Sequence, residues 1–337
     1  MSDFIETPLG KVPQNMLNKW SLVCHYMAPI MGFYQDPDVT EIMINRFDLI
    51  FIETNEGMIK TEARFESEED LAKLIRQISI ALQQDSDRPD IIDARFPDQS
   101  RACCITSLVS TFGSSMTIRC APKKKLTFAD LLNGNALTQE MADYIKERVE
   151  LQDNIVISGG TGSGKTTLIR AITEFIPKTD RVIICEDTQE LFLDLPNQVM
   201  LEAPKRKDST LTLSDLIKTT LRMRPDRVIV GEIRDAFACD AYLQILNTGH
   251  SGCTTSLHAN SPKSAVKRIQ YLLAKEGIID FNLAGYEVLD AVNLLIQMKK
   301  TVHGRKITHI SKVDEEMNII PVFRYDIKDN IYIRYTD

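Results

Sequence analysis

The run Gly159-Gly160-Thr161-Gly162-Ser163-Gly164-Lys165-Thr166 constrains this chain more than any other feature. It fits G-x-x-x-x-G-K-[ST] and lies between an apolar segment, Asn154 to Ser158, and a helical pattern, Thr166 to Phe175. Glycines at these positions let backbone N–H groups curl around phosphates, and the following helix turns its positive dipole end toward them. In that arrangement Lys165 reaches the β- and γ-phosphates of ATP, and the Thr166 hydroxyl ligates Mg²⁺. Gly160, Thr161, Gly162, Ser163, Gly164, Lys165, Thr166 and Thr167 are therefore the expected nucleotide-binding residues. A ligand-free glycine turn is the bland alternative, and the flanking strand and helix count against it.

The same rhythm continues beyond the loop. Ile155-Val156-Ile157, Val182-Ile183-Ile184 and Val228-Ile229-Val230 are short β-branched runs. Near-continuous apolar strands of this kind belong to parallel sheets covered on both faces. Helical patterns separate them: Leu213 to Leu221, ended by Pro225, and Ala236 to Leu246, apolar almost all round, with Gly249 near its end. The expected fold class is α/β, a doubly wound domain built from βαβ units.

Each of these strands empties into polar residues. Val182 to Cys185 is followed by Glu186 and Asp187, Val228 to Gly231 by Glu232, and Cys253 to Leu257 by His258. In parallel strands all of these groups gather at the carboxyl edge, where open α/β sheets bind ligands. Glu232 closes its strand as a Walker B acid does, fit to hold Mg²⁺ or to polarise the attacking water. Asp is commoner one residue earlier, where this chain has Gly231, so the division of duties between Glu186 and Glu232 stays open. Alternatively, Glu232 is a surface acid paired with Arg224, Arg227 or Arg234. His250 and His258 fit either a relay that senses the γ-phosphate or buried, satisfied histidines; the cysteine spacing fits no zinc pattern. Arg95, Arg101, Arg119, Arg222, Arg224 and Arg234 lie near the motifs, and guanidinium donors assist phosphoryl transfer. A salt-bridged surface arginine is the default for any single one of them.

Around Cys120 to Asn135, Pro122, the triplet Lys123-Lys124-Lys125 and Asn133-Gly134-Asn135 read as a linker with turns. It divides the 337 residues into an α+β portion over 1–120, a linker over 121–137 and the loop-bearing portion over 138–337, which ends in a short antiparallel tail. In the first portion, Glu41 to Asn45 and Leu49 to Glu53 form a hairpin. Ser67 caps a helix carrying Leu71, Leu74, Ile75, Ile78 and Leu82 on one stripe, and Ala102 to Val109 and Ser115 to Arg119 are strands. Forty basic against forty-seven acidic residues give a net charge of −7, which argues against a nucleic-acid coat. No apolar run approaches the ~18 residues of a membrane span, and Met1 to Gly10 lacks a basic signal-peptide start. Seven scattered cysteines without a C-x-x-C suggest reduced thiols.

Four motifs occur in order: the loop at 159–166; Cys185-Glu186-Asp187-Thr188-Gln189-Glu190-Leu191; Leu221-Arg222-Met223-Arg224-Pro225-Asp226-Arg227 through Gly231-Glu232-Ile233-Arg234-Asp235; and Asn247-Thr248-Gly249-His250 through Thr255-Ser256-Leu257-His258-Ala259-Asn260-Ser261. The chain thereby resembles the type II/type IV secretion traffic ATPases, most closely the conjugation and type IV secretion branch. In the first portion, Ala94-Arg95-Phe96-Pro97, Ser100-Arg101 and Thr117-Ile118-Arg119 look like the family's arginine motifs. The resemblance implies a RecA-like P-loop NTPase domain beside a smaller N-terminal α+β, PAS-like domain. It implies catalytic roles for Lys165, Glu186, Glu232, His258, Arg101 and Arg119, and a sensor or relay role for His250 and Arg234. Gly231 is the family's usual residue in its second acid motif. The implied partners are five further copies in a hexamer, a coupling protein, inner-membrane secretion components, and a transported protein or nucleoprotein. The implied place is the cytoplasmic face of a bacterial inner membrane, with no membrane segment and no sequence-specific nucleic acid bound. The expected function is a Mg-ATP-driven motor for type IV secretion or conjugation. Rival readings are a pilus or type II assembly and retraction ATPase, a RecA-like nucleic-acid translocase, a small-molecule P-loop kinase, and a non-hydrolysing nucleotide-gated module.

Overall fold

The computed structural model describes residues 4–54, 57–82, 90–121, 126–204 and 210–335, in two compact units that part between Lys125 and Leu126. The Lys123–Lys125 triplet lies outside the described residues.

The first unit opens with a hairpin, β1 (Phe4–Thr7) and β2 (Gly10–Pro13), then α1 (Leu17–Tyr26) and α2 (Ala28–Gln35). A six-stranded antiparallel sheet follows: β3 (Val39–Arg46), β4 (Leu49–Thr54), β5 (Gly57–Lys60), then β6 (Ile91–Arg95), β7 (Arg101–Ile105) and β8 (Ser115–Arg119), in the order β5-β4-β3-β8-β7-β6. The helix α3 (Glu68–Leu82) buries Leu71, Leu74, Ile75 and Ile78 from its stripe together with Ala81. Ser67 starts it by accepting the Asp70 amide at 3.3 Å. Strand β7 stops at Ile105, four residues short of the apolar run read from the sequence. The amides of Val109 and Ser110 both donate to the Thr106 carbonyl, turning the chain and leaving Leu108 exposed.

In the second unit, α4 (Phe128–Asn133) and α5 (Gln139–Glu150) begin at Thr127 and Thr138, whose hydroxyls accept helix amides. The central sheet then builds from β9 (Ile155–Gly159), β10 (Val182–Glu186), β11 (Gln198–Glu202), β12 (Arg227–Val230), β13 (Thr254–Leu257) and β14 (Leu294–Thr301), all parallel, in the order β11-β10-β12-β13-β9-β14. Every residue of β9, β10, β12 and β13 is buried, because helices cover both faces. On one face lie α7 (Leu213–Thr220), α8 (Ala236–Asn247), α9 (Pro262–Lys275) and α10 (Phe281–Ala291). On the other lie α4, α5 and α6 (Lys165–Ile172). The C-terminal strands β15 (Gly304–Val313), β16 (Ile319–Asp326) and β17 (Ile331–Arg334) are antiparallel. They extend the same sheet, because β14 pairs with β9 on one side and with β15 on the other.

Candidate nucleotide site

Parallel pairing brings Gly159, Glu186, Val230 and Leu257 to one edge of the sheet, each at the carboxyl end of its strand. The turn after β9 must begin at glycine. A Cβ on Gly159 would lie 2.5 Å from the Met298 carbonyl oxygen and 2.5 Å from Ser163 Oγ. Gly162 and Gly164 adopt φ of +67° and +99°, the left-handed region that side chains disfavour. A Cβ on Gly160 or Gly162 would meet nothing within 4 Å, so the loop's outer side is open.

Three features fit this loop to a phosphate. The N-cap of α6 is Gly164, so no side chain caps its first turn. Ser163 Oγ is buried without a hydrogen-bond partner among the described residues. Lys165, the first residue of α6, turns its ammonium back on the loop, where Nζ donates to the carbonyls of Gly159 at 3.1 Å and Gly160 at 3.3 Å. Burial pulls the Lys165 pKa below the ordinary lysine value, and the Glu232 carboxylate acts in the opposite direction. A buried cation that meets carbonyl oxygens and an imidazole, with no carboxylate in ion-pair contact among the described residues, is suited to an anionic partner. Thr166 and Thr167 follow in the first turn, both half-buried.

Glu232 and His258 join this cluster. The His258 ring spans two strand ends: Nδ1–H donates to the Gly159 carbonyl at 3.1 Å, and Nε2 lies 2.8 Å from Glu232 Oε1. Lys165 Nζ is 3.3 Å from the same Nδ1. The second oxygen of Glu232 pairs with Arg234 Nη2 at 2.8 Å. The reading of Glu232 as an acid paired with arginine thus holds for Arg234, and the same carboxylate also reaches the loop through His258. Arg227 is elsewhere, buried and bonded to Asp180 at 2.7 Å.

Glu186 is held differently. It is 4% exposed, and Oε1 accepts the amides of Glu190 at 2.9 Å and Leu191 at 3.1 Å. Burial pushes its pKa up to about 7, against the lowering effect of those two amides. Its hydrogen bonds therefore tie down the segment after β10. A Cβ at position 231 would lie 2.9 Å from Glu186 Cγ, so glycine precedes Glu232 because the Glu186 side chain occupies that space.

His250 follows α8, and its Nδ1 lies 3.2 Å from Thr248 Oγ1. Arg101 and Arg119 belong to the first unit, where Arg95, Arg101, Arg119 and Glu41 are successive register partners across β6, β7, β8 and β3. Their neighbours Ala94, Ala102, Ile118 and Ile42 point into the core, so by alternation the arginines share the opposite face. One residue escaped sequence reasoning. Arg305, at the start of β15, donates from Nε to the Gly162 carbonyl at 2.9 Å. The only signal for it was an arginine just after a hairpin turn, whose nearness to the loop depends on strand order.

The profile of the family described as Type II/IV secretion system protein matches residues 25–311. The conjugal transfer protein TrbB of Rhizobium radiobacter is 33% identical over 291 residues, covering 84% of this chain and 86% of that protein. The type IV secretion system protein VirB11 of Bartonella quintana is 28% identical over 331 residues, covering 86% and 92%. The ATPase DotB of Legionella pneumophila shares the fold at a TM-score of 0.65 and 22% identity, over 87% of this chain and 82% of DotB.

Proposed function

Since this chain belongs to the type II/IV secretion system protein family, we propose that it is the ATP-hydrolysing motor of a type IV secretion or conjugation machine. The observation that carries the reading is the continuous contact from the Walker B acid to the phosphate loop, Arg234–Glu232–His258–Gly159, with Lys165 beside it. Such a contact lets an acid at one strand end respond to what sits on the loop at another. The second unit is read as a RecA-like domain, and the first as a smaller domain contributing Arg101 and Arg119 to the phosphates.

In this mechanism the loop amides and Lys165 bind the phosphates and offset charge that develops on the γ-phosphoryl oxygens. Glu232, aligned by His258 and Arg234, orients the attacking water and accepts its proton. Glu186 fixes the 187–191 segment that borders the site. Thr166 and Glu232 offer hard oxygen donors and would hold Mg²⁺. When bound, Mg²⁺ supplies charge neutralisation of the triphosphate. His250 and the arginines of both units would convert nucleotide state into movement of the ring. Six copies at the cytoplasmic face of a bacterial inner membrane, working with a coupling protein and inner-membrane components, would then drive export of a protein or nucleoprotein. No helix among the described residues is long and apolar enough to cross a membrane.

The test combines native mass with ATP turnover, with and without Mg-ATP, for the wild type and Lys165→Ala. A hexamer whose turnover falls at least about 100-fold in the variant is expected. A monomer without turnover under every condition would refute the motor.

A further inference from the structure

Strand β14 carries one polar side chain in an apolar run, Leu294-Leu295-Ile296-Gln297-Met298. Gln297 is 3% exposed, and it pairs in register with Ser158, the residue just before the phosphate loop. Both ends of its amide are engaged. Oε1 accepts from Ser158 Oγ at 2.5 Å, and Nε2 donates to the carbonyls of Ala259 at 3.0 Å and Met298 at 3.2 Å. Ala259 immediately follows His258. Strand β9 lies between β13 and β14, so this one side chain reaches past the loop-bearing strand and holds the backbone at the end of β13.

Two links therefore join the same pair of segments. Gly159 accepts from His258, and Ser158 is tied through Gln297 to Ala259. The first link alone leaves His258 able to swing, because its ring is nearly half exposed. The second fixes the backbone from which the ring projects. Burying an amide in a sheet offers no advantage over methionine of similar volume unless the bonds themselves serve a purpose. Here they run from the base of the phosphate loop to the residue beside the only imidazole in contact with Glu232 among the described residues.

We propose that Gln297 is a positioning residue: it sets the distance between the phosphate loop and His258, and through His258 the placement of Glu232. The inference rests on the ATP-hydrolysis reading for its kinetic part only. Its consequence is selective. Phosphate binding by the loop does not need Gln297, whereas alignment of the Glu232–His258 pair does.

The experiment uses the full chain carrying Gln297→Met, Gln297→Glu, His258→Ala and the double variant Gln297→Met/His258→Ala. The expected result for Gln297→Met is a fall in kcat of about 10-fold or more, with KM for ATP within about 3-fold. In the His258→Ala background the same substitution should cost less than about 2-fold further, since the two act as one unit. Gln297→Glu keeps the shape but turns an oxygen toward the Ala259 carbonyl, and should lose at least as much. Amide hydrogen exchange of nucleotide-free protein supplies a readout independent of turnover. In Gln297→Met the segment 258–261 should exchange about 10-fold faster, while β9, β10 and β12 keep their protection. Full kcat in Gln297→Met, additive losses in the double variant, or protection lost across the whole sheet would each overturn the proposal. If the wild type itself turns over no ATP, the hydrolysis reading fails, and the exchange pattern still decides the role of Gln297.

Discussion

Replacing Glu186 by glutamine isolates the cost of keeping a carboxyl where water is scarce. The group is 4% exposed, and burial raises its pKa from the ordinary 4.5 to about 7. A carboxyl raised in this way binds its proton more tightly in the folded chain than in the unfolded one. Between about pH 4.5 and 7 the native state therefore holds the extra proton, and its stability falls as pH rises through that window. At about 1.4 kcal/mol per pH unit, the full effect is about 3 kcal/mol above pH 7 and zero below pH 4.5. Glutamine carries no charge but keeps a carbonyl oxygen for the Glu190 and Leu191 amides. Its weaker acceptor and the neighbouring N–H groups should cost about 1 kcal/mol at every pH. Glu186→Gln should therefore be about 2 kcal/mol more stable than the wild type at pH 8.5 and slightly less stable at pH 4.5. Urea denaturation of both proteins at the two pH values measures this. An equal stability difference at pH 4.5 and 8.5 would refute the assignment of a buried, proton-holding carboxyl at this position.

Two further substitutions probe the packing around the site. Gly231→Ala places a methyl 2.9 Å from Glu186 Cγ and should lower stability by about 1–3 kcal/mol in urea unfolding; wild-type stability would show that Glu186 does not fill that space. Arg305→Ala removes the bond to the Gly162 carbonyl and should weaken binding of a fluorescent ADP analogue by about 5-fold. Unchanged affinity would mean that the C-terminal hairpin does not brace the loop.

Much of the site was legible in the sequence because its signals are local. The glycine loop, the three β-branched strands and the acids after them need only short-range chemistry to be recognised. Parallel pairing alone then carries Lys165, Glu232 and His258 to one edge. The cap at Ser67 is local in the same sense. What stayed hidden depends on contacts between distant parts of the chain. Ser158 and Gln297 are 139 residues apart, and Gly162 and Arg305 are 143 apart. Both pairs meet only because β14 adds to the sheet beside β9 and then turns back as β15. The reason for Gly231 and the raised pKa of Glu186 likewise come from neighbouring strands and from burial. The run of residues thus determines which chemical groups reach the edge of the sheet. Strand order and the exclusion of water decide which of them touch, which keep their protons, and which hold the others in place.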